Sequence, residues 1–142
     1  MIVLDTNVVS ELAKPKPDPM VIGWIDTQSE LAIAATALAE LRFGVARLPD
    51  GKRRTALGEA IDRFVADDLQ GLVLAFDSAC ADAYGLIVAA RERAGRPIGL
   101  ADAQIAATCS VHNAVLATRN TKDFQGTAIA LINPWDPPTT KP

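Results

Sequence analysis

Four short apolar runs are separated by helix-length segments: "IVL" at residues 2–4, "ELAIAAT" at 30–36, "GLVLAF" at 71–76 and "AVLATRN" at 114–120. A fifth, within "TAIALINPW", follows at 127–135. Strands this short and this continuously apolar are buried on both faces, and the helices between them must supply the cover. The pattern therefore predicts an α/β/α sandwich around a central, mostly parallel sheet of about five strands. Helices are expected over 7–13, 19–27, a stretch carrying Leu38, Leu41, Val45 and Leu48, 53–68, a segment from the Asp77 cap to about Ala94, and 101–112. Thr36 is placed to cap the third of these. "KPKPDP" is a connector, because proline biases the residue before it away from the helix. No repeat, low-complexity block or composition shift marks a boundary. Residues 1–136 are read as one domain and 137–142 as a loose tail.

Hydrophobic residues make up 49% of the chain, enough for a sizeable core, and the formal charge is −3. No half is strongly basic, which argues against a broad electrostatic grip on nucleic acid but leaves room for a local cationic patch. Cys80 and Cys109 lie too far apart in sequence for a CxxC unit and are expected to be buried thiols. His112 is the only histidine, so chemistry built on two histidines is excluded. The opening apolar run is short and lacks a preceding basic region, and no stretch reaches the ~20 apolar residues of a membrane span. A soluble cytoplasmic protein is expected.

In parallel α/β sheets the functional site lies beyond the carboxyl ends of the strands. Asp5 stands there, directly after the first strand. Glu40 lies inside a helix rich in alanine and leucine, one position too late to complete a capping box with Thr36. Asp102 occupies the first turn of its helix, with Ile105, Ala106 and Cys109 continuing its face. "ATRNTKDF" brings Thr118, Arg119, Asn120, Lys122 and Asp123 to the same sheet edge. Each acid also has a structural role open to it: Asp5 as an N-cap, Glu40 as an exposed partner of Arg47, Asp102 as a complement to the helix dipole. Taken together they put several carboxylates on one side of a sheet, where they repel one another unless a cation lies among them. Oxygen donors without histidine or thiolate select hard ions, Mg²⁺ or Mn²⁺. Such an ion activates water and neutralises a leaving oxygen, which is the chemistry of phosphodiester hydrolysis.

"LDTNVVSEL", "ALAELRFGV", "GLADAQIAAT" and "LATRNTKDF", in this order and ending in "INPW", resemble PIN-domain ribonucleases of the VapC kind, in their FitB-like branch. The resemblance covers nearly the whole chain. It implies a metal-dependent endoribonuclease, the toxin of a toxin–antitoxin pair, with Mg²⁺ or Mn²⁺ as cofactor and RNA as substrate. By motif, Asp5, Glu40, Asp102 and Asn120 fall on the catalytic positions, Asp5 and Asp102 being the principal metal ligands. Asparagine at 120 departs from the family's fourth acid, and Asp123 is available to supply the charge it lacks. Thr6, Asn7, Thr118 and Asp123 are implied as hydrogen-bonding or loop support. Arg42, Arg119 and Lys122 are candidates for RNA phosphates, as are Lys52, Arg53 and Arg54. A small antitoxin, a homodimer and no membrane association are also implied. Two other readings stay open: a PIN-like RNA- or protein-binding module with a weakened site, and an aspartyl-phosphate phosphotransfer domain. The latter is disfavoured by Asn7, where dehalogenase-like phosphatases carry a second aspartate.

Overall fold

A computed structural model describes residues 1–137. Its chain order is β1 (Ile2–Leu4), α1 (Thr6–Leu12), α2 (Pro19–Asp26), β2 (Leu31–Ala34), α3 (Ala35–Ala46), α4 (Lys52–Arg63), β3 (Val73–Leu74), α5 (Ser78–Arg93), α6 (Leu100–Val111), β4 (Val115–Ala117) and β5 (Leu131–Ile132). The five strands form one sheet in the order β3-β2-β1-β4-β5, and each neighbouring pair is parallel. The expected α/β/α sandwich is therefore correct, with the sheet parallel throughout the described residues. The expected tail, 137–142, lies outside them except for Pro137.

Register fixes where the polar residues arrive. Ile2 lies opposite Leu31 on one side and Val115 on the other, and Leu4 lies opposite Ala117. Asp5 and Thr118 thus leave adjacent strands at the same level. The chain builds outward from β1 in one direction through β2 and β3, then crosses to β4 and β5 on the other side. The crevice of such a sheet opens where the order reverses, between β1 and β4.

Val3, Leu4, Ile33, Ile105 and Leu116 are fully buried, each contributing roughly 1.5–3 kcal/mol by leaving water. α6 is buried along most of its length through Ala103, Ile105, Ala106, Ala107, Thr108 and Cys109, and the small side chains let it lie close against β2 and β4. Cys80 and Cys109 are free and buried as expected. Burial pushes the Cys109 thiol up to about 12, so it stays protonated and unreactive. His112 ends α6 at the surface.

Local signals explain most boundaries. Asp18 accepts from the Met20 amide at 2.8 Å and Pro19 opens α2. Asp77 caps α5 through the Cys80 amide at 3.1 Å. Two expectations need correction. Thr36 does not cap α3: Ala34 holds the cap position with no side-chain bond, and the Thr36 hydroxyl instead meets Gln104 Oε1 at 3.0 Å. That bond ties α3 to α6. The helix expected over 53–68 is α4 only to Arg63, then turns wider as a π-helical turn over Phe64–Asp68. Among the described residues no helix is long and apolar enough to cross a membrane.

Candidate active site at the carboxyl edge of the sheet

Asp5 combines two roles that its sequence position left as alternatives. It caps α1, its Oδ1 accepting from the Thr6 amide at 2.8 Å and the Thr6 hydroxyl at 3.2 Å. Its Oδ2 accepts from Thr118 Oγ1 at 2.8 Å and lies 3.4 Å from Asn7 Nδ2. The residue is only 4% exposed. The burial of this carboxylate is offset by donors on both oxygens.

Thr118 and Asn7 hold the aspartate in turn. The fully buried Thr118 hydroxyl also accepts from Asn7 Nδ2 at 3.3 Å and from the Asn120 amide at 3.0 Å. Asn7 Oδ1 accepts from the Arg119 amide at 3.2 Å. The start of α1 and the end of β4 are thereby laced together around one carboxylate.

Glu40 and Asp102 come from α3 and α6 and face the same charge. The Glu40 carboxyl is raised above its ordinary value by desolvation first, then by the charges of Asp5 and Asp102, against a bond from Thr6 that lowers it. The residue as a whole is exposed, so water screens part of this effect. Glu40 has no ion pair with Arg47, whose guanidinium instead lies over the Phe43 ring at 5.8 Å. Asp102 is half-buried while Ile105, Ala106 and Cys109 behind it are buried, so its carboxylate stands at the mouth of the apolar stripe. Its carboxyl is raised by desolvation and by the charges of Asp5 and Asp123, and lowered by Arg91.

Each of these two carboxyls keeps its proton more readily in the folded chain than in the unfolded one. That preference favours folding below the ordinary carboxylate range and is lost as pH rises through the raised values. The double variant Glu40→Gln/Asp102→Asn should therefore melt higher than the parent at pH 7 without divalent ions, by roughly 2–5 °C for a chain of this size. The gap should close towards pH 4. Thermal melts across this range check it, and an equal or lower midpoint at pH 7 would dispose of the mutual repulsion.

The remaining candidates are distributed unevenly. Asn120 is exposed and precedes a 3₁₀ turn, Thr121–Phe124, that carries Lys122 and Asp123 at the surface. Arg119 is exposed, its guanidinium 5.0 Å from the Trp135 ring centroid. Arg42 is turned to α4, bonding Asp62 at 2.5 Å and the Gly58 carbonyl at 3.5 Å. Arg54 pairs with Asp50. A groove of about 700 Å³ runs from Thr6 and Glu40 past Leu41 to Leu57 and Ile61, with Arg53 on its lining. Lys52 begins α4 in an exposed position. Two residues escaped the sequence reading: Gln104, partner of Thr36, and the buried Arg91. A polar position in a mostly buried helix was the available signal for Gln104; for Arg91, in a run of charged residues at a helix end, there was none.

Among the described residues no three side chains of His, Cys, Asp or Glu are drawn close enough to grip one ion directly. The donors fit a hard divalent ion all the same. They are oxygens only, their mutual repulsion calls for a cation, and an ion of the Mg²⁺ type takes one or two carboxylates and keeps several waters. Asp5 and Asp102 are the residues that would hold it.

Residues 2–129 match the PIN domain family. The chain is 45% identical over 139 residues to the VapC ribonuclease Y4jK of Sinorhizobium fredii, covering 96% of this chain and 99% of that protein. It is 38% identical over 137 residues to toxin FitB of Neisseria gonorrhoeae, covering 95% and 99%. Among solved structures, that of FitAB bound to an IR36 DNA fragment aligns with 99% of this chain and 100% of its own, with a TM-score of 0.91 and 36% identity. The parallel sheet, the carboxylates at its edge and this full-length likeness lead to one assignment: the chain belongs to the PIN domain family.

Proposed function

We propose that the chain is the ribonuclease toxin of a toxin–antitoxin pair, hydrolysing RNA phosphodiester bonds in the cytoplasm with Mg²⁺ or Mn²⁺ held at Asp5 and Asp102. The observation that carries this reading is the electrostatic meeting of Asp5, Glu40 and Asp102 from three separate elements beside the β1/β4 crevice. The bound ion would supply charge neutralisation at the phosphate and a more acidic water. Glu40, made a stronger base by desolvation and the neighbouring charges, takes the proton of the attacking water as the new P–O bond forms and the bond to the leaving oxygen breaks. Thr118 and Asn7 hold Asp5 in place; Asn120 and Asp123 flank the crevice. Both oxygens of Asp5 already accept hydrogen bonds, which speaks against its use as a phosphoacceptor.

Residues 1–136 act as one nuclease domain, and the working form is a homodimer silenced by a small antitoxin. The similar structures of FitAB and of VapBC2 from Rickettsia felis support such a partner. The groove leading to Glu40 offers its tail an apolar seat, and an arginine entering the acidic crevice would compete with the metal. Exposed Arg119 and Lys122 are the cations placed to meet RNA phosphates.

The test is direct. Purified protein should cut single-stranded RNA when Mg²⁺ or Mn²⁺ is added, EDTA should stop it, and excess metal should restore it. Cleavage that persists in EDTA, after contaminating nuclease has been removed, would refute metal dependence.

A further inference from the structure

Arg91, near the end of α5, is 6% exposed and forms no ion pair among the described residues. Its guanidinium bonds backbone carbonyls through Nε and Nη1. Nε donates to the Arg96 carbonyl at 2.6 Å, and Nη1 donates to those of Asp123 at 2.9 Å and Gln125 at 2.8 Å. A buried cation without a carboxylate partner is costly, and an apolar side chain would fill the position more cheaply. What the arginine provides is geometry. Its planar fork joins two segments that are otherwise tied by the long bond from Arg96 Nη2 to the Lys122 carbonyl at 3.4 Å. One, 94–99, delivers the chain into α6 and so sets Asp102. The other is the turn after β4 that carries Asp123.

Gly126 completes the fit. It adopts φ +78°, a left-handed turn that favours glycine, and a Cβ there would meet Arg91 Cδ at 3.7 Å. The turn therefore folds back over the arginine stem. α6 begins at Leu100, directly after the clamped segment, carries Asp102 in its first turn and packs against the Thr121–Phe124 turn, which puts clamp, turn and carboxylate in one neighbourhood.

We propose that Arg91 is a positioning residue for the α6 side of the metal site, setting the spacing between Asp102 and the Asp123 turn by clamping the carbonyls of Arg96, Asp123 and Gln125. This rests on the metal-dependent reading above. It makes a prediction that opposes simple electrostatics. A cation beside Asp102 should weaken metal binding, so removing its charge should strengthen binding; loss of a positioning clamp should weaken it.

Arg91→Lys keeps the charge and loses the fork. Its affinity for Mn²⁺, followed by the electron paramagnetic resonance signal of the free ion, should fall about tenfold, as for other residues that orient metal ligands. Arg91→Met should fall at least as far, despite losing the opposing charge. Circular dichroism establishes that each variant is folded at the assay temperature. In the parent, hydrogen exchange supplies a measurement that needs no variant: Mn²⁺ should protect amides of 94–99 and 121–126 together. Unchanged affinity in Arg91→Lys, tighter binding in Arg91→Met, or protection of one segment alone would overturn the clamp. A parent that binds no Mn²⁺ would remove the metal-dependent reading itself, and this proposal with it.

Discussion

Asp5→Asn is expected to lower RNA cleavage by roughly 100- to 1,000-fold, the scale of one preorganised charge-stabilising group, while the protein stays folded. The two effects separate because the carboxylate does two jobs. As a cap, Oδ1 receives the Thr6 amide, and asparagine serves that position about as well as aspartate. With its amide oxygen on that side, its nitrogen faces Thr118 Oγ1, whose two lone pairs already accept from Asn7 Nδ2 and the Asn120 amide. The Thr118 hydroxyl and the long Asn7 contact at 3.4 Å therefore lose their acceptor, at a cost of about 1–3 kcal/mol. The negative charge, by contrast, is gone from the centre of the acidic cluster. Single-turnover cleavage assays with saturating Mn²⁺, beside a thermal melt, test both halves. Asp5→Ala should lose the cap as well, and so lose stability by about 0.5–2 kcal/mol. Cleavage by Asp5→Asn at the parent's rate would end the nuclease assignment of this site.

The second large effect belongs to Thr118, which has no charge. Thr118→Val nearly preserves shape but removes the hydroxyl that donates to Asp5 at 2.8 Å and accepts from the Asn120 amide at 3.0 Å. The Thr118 site is fully buried, so the loss leaves one oxygen of a buried carboxylate under-bonded and disturbs the turn that follows. An unsatisfied buried group costs about 1–3 kcal/mol, and misorienting a metal-holding carboxylate costs about 10- to 100-fold in metal affinity or activity. Thr118→Val should therefore melt lower and cut RNA 10- to 100-fold more slowly, on that same scale. Thr118→Ser, which keeps the hydroxyl, should recover most of both. Equal failure of serine and valine would assign the effect to packing of the methyl group instead.

The architecture was legible because its signals are local. Three-residue apolar runs, the proline-rich connector and the Asp77 cap each announce themselves over a few positions, and the sheet follows from their alternation with helices. The polar residues at strand ends were legible too, since topology alone carries Asp5 and Thr118 to one edge. Other features depend on partners far away in sequence. Thr36 is of a type that favours a cap, yet the chain enters α3 two residues earlier and the hydroxyl finds Gln104 on α6. The π-helical turn after Arg63 replaces what periodicity reads as continuous helix. Arg91 sits among exposed charged neighbours, and nothing in its local sequence says that it turns inward.

The lacing of Asp5 to β4 also has a consequence in time. The Asp5 amide donates to the Ala117 carbonyl at 2.9 Å, and its carboxylate waits for the hydroxyl of the next residue, Thr118. Synthesis runs from the amino end, so β4, which completes this pocket, leaves the ribosome after β1, β2 and β3. A nascent chain holding β1, β2 and β3 has the first acid but neither Asp102 nor the residue that steadies it. The order of residues thus delays assembly of the acidic crevice until β4 has been made.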